Sequence, residues 1–539
     1  MTQKIVIFTK IIYFCITNYF LSTNEKKYIQ FNKKQWNKKN KTNPSAEIIL
    51  VDLFYWFPLI HFWSIVLNIF SKQKLQIKSF YFPLDNNYFL NKILFTKLSK
   101  IFLSFGCTYG PNIYNINFKK NKEKYRKLYF KKIKNINDLS NFKRKNILFG
   151  DLIYDTYIRK NFIPHIKKED INNNELLTLF IHTNILFDYL DNYFSKNKIK
   201  YIFPSHVLYV EYGLISRIGD YHGSKIIKTS SVAWATSNFE IHKCEKGKII
   251  GDFPYHKYKS DFKKISENKK KKFLLKGKKI INSRFHGVID KSIIYMKKSS
   301  FKKNYDNKLR KDFIKSYKKR ICLFSHCLFD GVHRFGNVVF DDYYNFIYET
   351  CCFIKNKKDT ILLIKPHPNG LIQNDKFFFD LKNQFSQYKN IIFLNKNFSN
   401  LEIFKHINLG LTVHGTVAYE LAYKKIPVIT AGENPYSNYN FCLKPKSKKE
   451  FFKMILELKK YRKKINYSKS KIYEYLYMHY NYYNLNKNTN DNLFYPINKI
   501  SNKNKFNFGY NDKLLLHYIA NFKNTLDACK KDILSSKNL

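Results

Sequence analysis

Short apolar runs, separated by segments of helical length, fill the chain between residues 319 and 445. The runs are continuous rather than alternating with polar residues, which is typical of parallel strands covered on both faces. In chain order they read ICLFSH, TILLIKPH, IIFLN, LGLTVHG and IPVITA. We therefore predict a Rossmann-like parallel-sheet domain over residues 319–445.

A similar alternation of strands and helices extends from residue 45 to residue 255. Strands are predicted in IILVDLF, NILFG, YIFPSH and KIIKTSS, and helices in DLIYDTYIRK, NELLTLFIHTNILFDYLDNYF and EYGLISRIGDYHG. This is the βαβ rhythm of a parallel sheet. The predicted fold class is therefore α/β, with two Rossmann-like domains and helical extensions at both ends.

Three regions lie outside the two predicted domains. Residues 1–44 read as a basic, asparagine-rich extension, residues 256–318 as a lysine-rich helical insertion and linker, and residues 446–539 as a helical tail. The apolar run over residues 53–70 is long enough to be considered as a membrane span. Pro58 and His61 within it favour strand, loop and buried helix instead.

The chain is strongly basic, with 97 Lys and Arg against 40 Asp and Glu in 539 residues and a formal net charge of +57. The accompanying excess of Lys, Asn, Ile, Tyr and Phe is typical of an AT-rich genome, so we discount part of this charge. What remains favours anionic partners such as nucleotides, phosphates, acidic glycans or an anionic membrane face. We expect no nucleic-acid partner, because the basic residues are scattered and neither zinc-finger spacing nor an RRM signature occurs.

Cysteine usage and the N-terminus predict the compartment. The nine cysteines form no CxxC pair and several lie in apolar runs, which indicates buried free thiols in a reducing environment. The N-terminal apolar run is interrupted by Lys10 and has no small-residue cleavage site, so no cleavable signal is expected. We predict a cytoplasmic protein, with peripheral attachment to the inner face of the cytoplasmic membrane.

Polar side chains follow two predicted strands of the C-terminal domain. His367 comes at the end of one strand, after Lys365 and Pro366, and His414 comes at the end of another. In an open parallel sheet, ligands bind outside the carboxyl ends of the strands, where helix N-termini point their free N–H groups. We therefore expect both histidines to belong to one site.

The segment after His414 has the residue types of a phosphate site. Gly415 lets the backbone approach a ligand, and Thr416 can cap the following helix while it offers a hydroxyl. Glu420 lies on the first turns of that helix, where its carboxylate could bind the hydroxyls of a ribose. The alternatives stay open, because a histidine at a strand end is usually an ordinary satisfied polar residue and Gly-Thr before a helix is usually ordinary capping.

Three motifs in consecutive βα units, KPHP, HGTxxxE and IPVITAGENPY, resemble the capsule polysaccharide biosynthesis family of bacterial glycosyltransferases, which includes the Kdo transferases. The resemblance covers residues 319–440 and implies a GT-B architecture, in which two Rossmann-like domains face each other across a cleft. It implies that His367 contacts the donor phosphate, that residues 414–416 form an anion-binding helix start, and that Glu420 holds the ribose. Lys365 is a donor-binding candidate on its chemistry, because its cation can neutralise phosphate oxygens beside His367. It also implies that Tyr436 lies at the rim of the cleft.

Candidates for catalysis and acceptor binding come from other segments. Asp151, Asp155 and Arg159 are spaced to share one helical face, with Asp155 the preferred catalytic carboxylate and the other two proposed for the acceptor. A solvated helix face with an Asp–Arg pair is the alternative. His206, a catalytic candidate, and Glu211, an acceptor candidate, follow another strand.

The loop FSHCLFDGVHRFG adds a further group of polar residues after the first strand of the C-terminal domain. Asp330, His326, His333 and Arg334 lie within it, and we name Asp330 as a candidate acid or base. An ordinary glycine-containing surface loop is the alternative. No DxD motif occurs, so we predict no metal and no other cofactor.

These expectations combine into a predicted activity. A sugar would move from a nucleotide donor, with CMP-Kdo as the leading candidate, to a glycan or lipid-linked acceptor of the capsule or lipopolysaccharide type. A CDP-polyol phosphotransferase of the teichoic-acid type is one alternative. A non-catalytic partner that binds glycans or nucleotides is another.

Overall fold

The computed structural model describes residues 19–36, 47–71, 75–84, 88–228, 242–243, 255–288, 299–301, 311–368, 372–482 and 512–535. Two separate five-stranded sheets organise these residues, one in each lobe of the molecule. All strand pairs in the C-terminal sheet are parallel, and so are all but one in the N-terminal sheet. The predicted α/β class with two parallel sheets is confirmed.

The N-terminal lobe has the strand order β2-β1-β5-β6-β7. The strands of this sheet are β1 (Ile48–Asp52), β2 (Gln76–Phe80), β5 (Ile199–Phe203), β6 (Lys225–Lys228) and β7 (His242–Lys243). A separate two-stranded hairpin consists of β3 (Lys143–Arg144) and β4 (Ile147–Leu148). Its helices are α1 (Thr23–Trp36), α2 (Phe57–Ser71), α3 (Tyr88–Leu103), α4 (Lys122–Lys132), α5 (Ile136–Ser140), α6 (Gly150–Asn161), α7 (Asn174–Lys196) and α8 (Ile215–Tyr221).

The strand predicted at residues 146–150 does not join the parallel sheet. Instead β4 pairs antiparallel with β3, and the two residues between them, Lys145 and Asn146, have φ of 47° and 62°. Two consecutive residues with positive φ form the tight turn that matches the twist of a hairpin. This local turn decided the pairing, and the apolar run alone could not reveal it.

The apolar run at residues 53–70 forms helix α2, and nearly all of its side chains are buried. The helix packs between the sheet and the C-terminal helices, where Tyr518 stacks on His61 with ring centroids 4.4 Å apart. Within the described ranges, no helix is long and apolar enough to span a membrane. The preference for a buried helix at this run is therefore confirmed.

The C-terminal lobe has the strand order β10-β9-β8-β11-β12. Its strands are β8 (Lys319–Phe324), β9 (Thr360–Lys365), β10 (Ile391–Phe393), β11 (Leu409–Thr412) and β12 (Val428–Thr430). The linker before it and the lobe itself contain α9 (Tyr258–Lys263), α10 (Glu267–Phe285), α11 (Lys311–Lys315), α12 (Tyr343–Ile354), α13 (Ile372–Gln384), α14 (Asn400–Phe404) and α15 (Val417–Tyr423). All five apolar runs predicted as strands are strands.

The last helices are α16 (Lys448–Leu456), α17 (Leu458–Arg462), α18 (Lys469–Tyr477), α19 (Lys513–Ala520) and α20 (Phe522–Ser535). Helix α10 lies against α18, and a Cβ added to Gly277 would come within 2.1 Å of the carbonyl oxygen of Tyr473. Glycine therefore permits this close contact. The lysine-rich helix α10 packs on the C-terminal lobe and carries its last turn to the sheet edge.

The two lobes touch along α6, so the expected cleft is closed on that side. The hydroxyl of Tyr154 donates to Asp342 at 2.6 Å, and the rings of Phe162 and Phe329 meet edge to face at 5.4 Å. One hydrophobic cluster runs through both lobes here. Polar side chains remain partly exposed beside this cluster, along the boundary between the two lobes, which is called the seam below.

Candidate functional site

Three histidines gather where strands of the C-terminal sheet end. His326 follows β8, His367 follows β9 and His414 follows β11, and these three strands are neighbours in the sheet. Because parallel strands present their carboxyl ends at one edge, these side chains share that edge. The expectation that His367 and His414 lie at one edge is met, and His326 lies between them.

His326 and His414 form a hydrogen-bonded unit with Tyr343 of α12. The backbone N–H of His414 donates to Nε2 of His326 at 3.3 Å, and the two rings lie 4.5 Å apart. The hydroxyl of Tyr343 donates to the carbonyl of Gly331 at 3.2 Å and lies 2.5 Å from Nε2 of His414. The hydroxyl of Tyr343 therefore links the loop at Gly331 to the ring of His414.

Burial keeps these imidazoles neutral. It lowers the pKa of His326 to about 3, helped by the charges of His367 and Arg334, and it lowers the pKa of His367 to about 4, helped by Lys365. The pKa of His414 is lowered as well, again mainly by burial. Near neutral pH each ring can donate one hydrogen bond and accept one.

Two cationic side chains lie near the histidines, Lys365 at the end of β9 and Arg334 in the loop after β8. Lys365 is 2% exposed and donates to the carbonyl of Lys396 at 3.3 Å. Burial lowers the pKa of Lys365 to about 8, so it remains largely protonated near neutral pH. The guanidinium of Arg334 lies over the ring of Phe335, 5.4 Å from its centroid, and that ring meets the ring of His414 edge to face at 4.9 Å.

A third cation, Arg284, comes from the end of helix α10. Its guanidinium donates to Oε1 of Glu420 at 2.8 and 3.0 Å and to Oγ1 of Thr416 at 3.0 Å. This arginine was not among the predicted site residues. Its only signal in the sequence was its position in the RFHG segment, and no local pattern indicated that α10 folds back onto α15.

Three expected roles at this edge need correction. Glu420 is 1% exposed and held by Arg284, so its carboxylate does not face a ribose. Thr416 makes no capping bond, since its hydroxyl accepts from Arg284. Tyr436 is 1% exposed rather than at a rim, and its hydroxyl donates to the carbonyl of Gly415 at 2.7 Å, which fixes the turn before α15.

Several buried polar atoms at this edge have no hydrogen-bond partner among the described residues. They are Oγ of Ser325, Oγ1 of Thr412 and Nδ1 of His414. A Cβ added to Gly415 would lie 2.8 Å from Oγ1 of Thr412 and 3.7 Å from His326, so glycine keeps space open beside these atoms. Buried polar groups are normally paired, and unpaired ones at a strand edge indicate a place for a polar ligand.

On the N-terminal lobe, Asp155 crosses the seam to His333. Its carboxylate, 2% exposed, accepts from the backbone N–H of His333 at 3.1 Å and contacts Nδ1 of that ring at 2.8 Å. Burial by itself would lower the pKa of His333, but the Asp155 carboxylate outweighs it and raises the pKa above the ordinary value. Asp155 therefore acts on His333 and is not itself exposed to a ligand.

The other two residues of the predicted helix face are structural in this arrangement. Asp151 is buried and makes a two-pronged ion pair with Arg217 at 2.6 and 2.7 Å. Arg159 lies over the ring of Phe329, 5.8 Å from its centroid. The alternative of a solvated face is wrong, because α6 is buried from Gly150 to Ile158. Asp151 therefore faces no open space, whereas Arg159 is half-buried beside the ring of Phe329.

Asp330 is exposed in the seam, where the hydroxyl of Tyr209 donates to it at 3.0 Å from the other lobe. The charge of Asp330 opposes the fall in the pKa of His367, and the charges of Asp155 and Asp330 add to the rise that burial causes in the pKa of Tyr343. The ring of His206 is edge-on to Phe54 at 5.9 Å and to Tyr212 at 5.3 Å.

Glu211 lies near a buried carboxyl that was not among the predicted site residues, Asp52 at the end of β1. Oγ of Ser205 donates to Asp52 at 2.5 Å. Burial raises the pKa of Asp52 to about 7, and the charge of Glu211 contributes to the rise. The sequence offered only a lone Asp after an apolar strand.

Comparisons with known proteins give no sequence relatives, since no family model and no curated protein matches the chain. Among solved structures, the chain is similar to two KpsC enzymes of Thermosulfurimonas dismutans. The beta Kdo 2,4 transferase is 9% identical to this chain, with a TM-score of 0.31. The match covers 49% of this chain and 75% of the transferase. The beta Kdo 2,7 transferase is 12% identical to this chain, with a TM-score of 0.30. The match covers 54% of this chain and 78% of that transferase.

The chain is also similar to UDP-GlcNAc 2-epimerase from Neisseria meningitidis bound to UDP-GlcNAc. That structure is 10% identical, covers 79% of this chain and 95% of that chain, and has a TM-score of 0.25. At such TM-scores these likenesses carry no argument about activity. The geometry of the site is the basis for assigning one.

Proposed function

We propose that this protein transfers a sugar from a nucleotide donor to a surface-glycan acceptor. The observation that carries the proposal is the group of polar side chains at the carboxyl edge of the C-terminal sheet, which would line the proposed pocket. It combines the cations of Lys365 and Arg334, and the guanidinium of Arg284 whose charge Glu420 balances, with neutral histidine rings and unpaired buried polar atoms. A negatively charged phosphate linkage with adjacent hydroxyls matches that set of groups.

The pocket would stabilise the departing nucleotide. Charge on the phosphate grows as the bond to the sugar breaks, and cations held in a partly buried site act on that charge more strongly than they would in water. His367 and His414 add hydrogen bonds without adding positive charge, because burial keeps them neutral. The two rings would therefore orient the phosphate, while the cations supply most of the electrostatic stabilisation.

The Asp155–His333 pair would supply the base. Asp155 holds Nδ1 of His333, which leaves Nε2 as the nitrogen that can take a proton from an acceptor hydroxyl. A carboxylate that orients an imidazole and stabilises its charged form has this effect in many hydrolytic enzymes. In this proposal Asp155 is a positioning residue, His333 is the base, and Asp330 binds hydroxyls at the exposed end of the seam.

The finer proposal is that the donor is CMP-Kdo and that the acceptor belongs to a capsule or lipopolysaccharide. A sugar that carries its own carboxylate suits a pocket with more cations than unpaired anions, since Glu420 is already bound by Arg284. We also propose that the protein works at the inner face of the cytoplasmic membrane. Tyr88 and Phe89, which are 59% and 66% exposed beside the exposed Lys92, could contact the lipid surface.

Nucleotide release tests the proposal. The full chain would be incubated with CMP-Kdo, CDP-glycerol and UDP-GlcNAc in turn, together with a mixed glycan acceptor, and the free nucleotide would be measured. We expect CMP release from CMP-Kdo, and a loss of about 100-fold in His367→Ala, a size typical of removing a donor to a developing charge. His406→Ala is the matched control, because His406 lies in the same lobe, is more buried than His367, and pairs with Glu402.

Each outcome decides between specific statements. CMP release from CDP-glycerol alone would mean that the transferred group is a polyol phosphate and not a sugar. The proposed role of the pocket would then stand. Nucleotide binding without release from any donor would favour a binding protein. A His367→Ala variant as active as the His406→Ala control would remove the pocket from the reaction.

A further inference from the structure

A large groove lies along β10, the edge strand of the C-terminal sheet, and the proposed reaction does not use it. Its volume is about 1140 Å³. Helix α13 overhangs one face of the strand with Phe378 and Phe379, and α11 overhangs the other face with Phe313 and Ile314. Phe379 is 61% exposed, which is unusual for so large an apolar side chain.

The hydrogen bonds to β9 reveal which backbone groups face the groove. The N–H of Leu362 donates to the carbonyl of Asn390, and the N–H of Leu394 donates to the carbonyl of Ile364, each at 2.8 Å. In a parallel pair, each strand turns alternate residues toward its partner. Even-numbered residues of this segment therefore bond to β9, and odd-numbered residues direct their backbone groups away from it.

Three backbone groups remain on the outer side of β10. The N–H of Ile391 is bound by the carbonyl of Tyr388 at 3.0 Å. The carbonyl of Ile391 and both the N–H and the carbonyl of Phe393 have no such partner in the described part of the chain. An unpaired row of this kind is a template for another strand.

The charge of the groove limits what such a strand can be. Lys396 is paired with Asp375 at 2.5 Å, whereas the exposed Lys382 and Lys389 make no ion pair among the described residues. Two uncompensated cations favour an acidic ligand. They also disfavour a second copy of this chain, whose net charge is +57.

We propose that this groove binds an extended acidic segment of a partner protein, which adds to β10 as a further strand. Apolar side chains of the segment would enter the phenylalanine-lined space, and its acidic side chains would meet Lys382 and Lys389, which also line the groove. The shortness of β10 and the lysines that line the groove beside it protect the edge from basic strands. The groove therefore selects its partner by charge and by strand hydrogen bonding together.

The test uses fluorescein-labelled octapeptides and the full chain, with binding followed by fluorescence anisotropy at physiological ionic strength. The probe alternates Val and Glu, one comparison peptide alternates Val and Lys, and another has the Val–Glu sequence with every second backbone nitrogen methylated. We expect saturable binding of the first peptide and at least tenfold weaker binding of the other two. Equal binding of the N-methylated peptide would overturn the proposal, because a strand could not form.

Two pairs of variants locate the binding. Phe393→Pro removes the outward N–H at an edge position where proline is tolerated, and Phe393→Ala removes the same ring but keeps the N–H. We expect Phe393→Pro to bind the peptide at least tenfold more weakly than Phe393→Ala, with melting temperatures of the two variants alike. Lys389→Glu should weaken binding, and Lys376→Glu, on the same surface but outside the groove, should not. Equal effects of the two charge reversals would mean non-specific attraction.

Discussion

Replacing Arg284 by methionine should unfold the C-terminal lobe at a lower temperature. Arg284 is the cation that α10 delivers to α15, and its charge is balanced by Glu420, whose side chain is 2% exposed. Methionine has a similar length but cannot donate a hydrogen bond or carry charge. The variant would therefore leave the Glu420 carboxylate buried without its partner.

The structure gives the size of the effect. Removing one partner of a buried ion pair costs roughly 3 to 5 kcal/mol, and the 22% exposure of the Arg284 side chain favours the lower end, about 3 kcal/mol. For a lobe of this size, each kcal/mol lowers the melting temperature by about 2 to 4 °C. We expect the C-terminal transition in scanning calorimetry to fall by about 6 to 12 °C.

Two further variants make this measurement specific. Arg320→Met is the matched control, because Arg320 donates to the carbonyls of His406 and Tyr317 and pairs with no carboxylate in the part of the chain that the structure describes. Its loss should cost only about 1 to 2 kcal/mol. Adding Glu420→Gln to Arg284→Met should restore most of the lost stability, since it neutralises the stranded charge. The reasoning would be refuted if Arg284→Met melted no lower than Arg320→Met, or if Glu420→Gln restored nothing.

Three other predictions concern titrating groups and need melting temperatures measured across pH. Burial lowers the pKa of Lys365 to about 8, so the folded state binds fewer protons than the unfolded state between about pH 8 and 10.4, and the charged lysine destabilises the fold fully below that window. Lys365→Met should therefore raise the free energy of unfolding by about 3 kcal/mol at pH 7 while it slows nucleotide release. No gain in melting temperature would contradict this. The raised pKa of His333 stabilises the folded state fully below about pH 6.5, and this contribution disappears as the pH rises through the raised value. Asp155→Asn should therefore weaken the fall in melting temperature between pH 6 and 8, and an unchanged pH profile would count against the pair. The pKa of Asp52 is raised to about 7, so stability falls as the pH rises from about 4 to 7, and Asp52→Asn should flatten that slope; a variant with the parent's slope would show that Asp52 is not buried.

The local pattern of apolar residues was sufficient to predict an element where one or both of its faces are uniformly buried. The continuous apolar strands of the C-terminal sheet, from β8 to β12, could be predicted directly from the run of residues in each. Pattern failed at residues 146–150, where positive φ at Lys145 and Asn146 turned an apolar run into a hairpin. A hairpin strand and a sheet strand have the same apolar signature, so only the turn distinguishes them.

The candidate site was predictable only in part. His367 and His414 could be assigned to one sheet edge, because parallel strands place their carboxyl ends together. The partners of the carboxylates could not be assigned: Glu420 is bound by Arg284 and Asp155 by His333, across 136 and 178 residues of sequence. Charged residues pair with whatever the fold brings within about 4 Å, and their own sequence neighbours do not determine that choice.

The sequence by itself determined the two parallel sheets, the position of the strand ends and the chemical types gathered there, because burial and strand direction are encoded in local runs of residues. Only the tertiary structure decided that α10 returns to the sheet with Arg284, that the seam closes along α6, and that Tyr436 and Glu420 support the pocket from within. Those outcomes depend on contacts between segments far apart in the chain, and such contacts are set by how whole surfaces pack together.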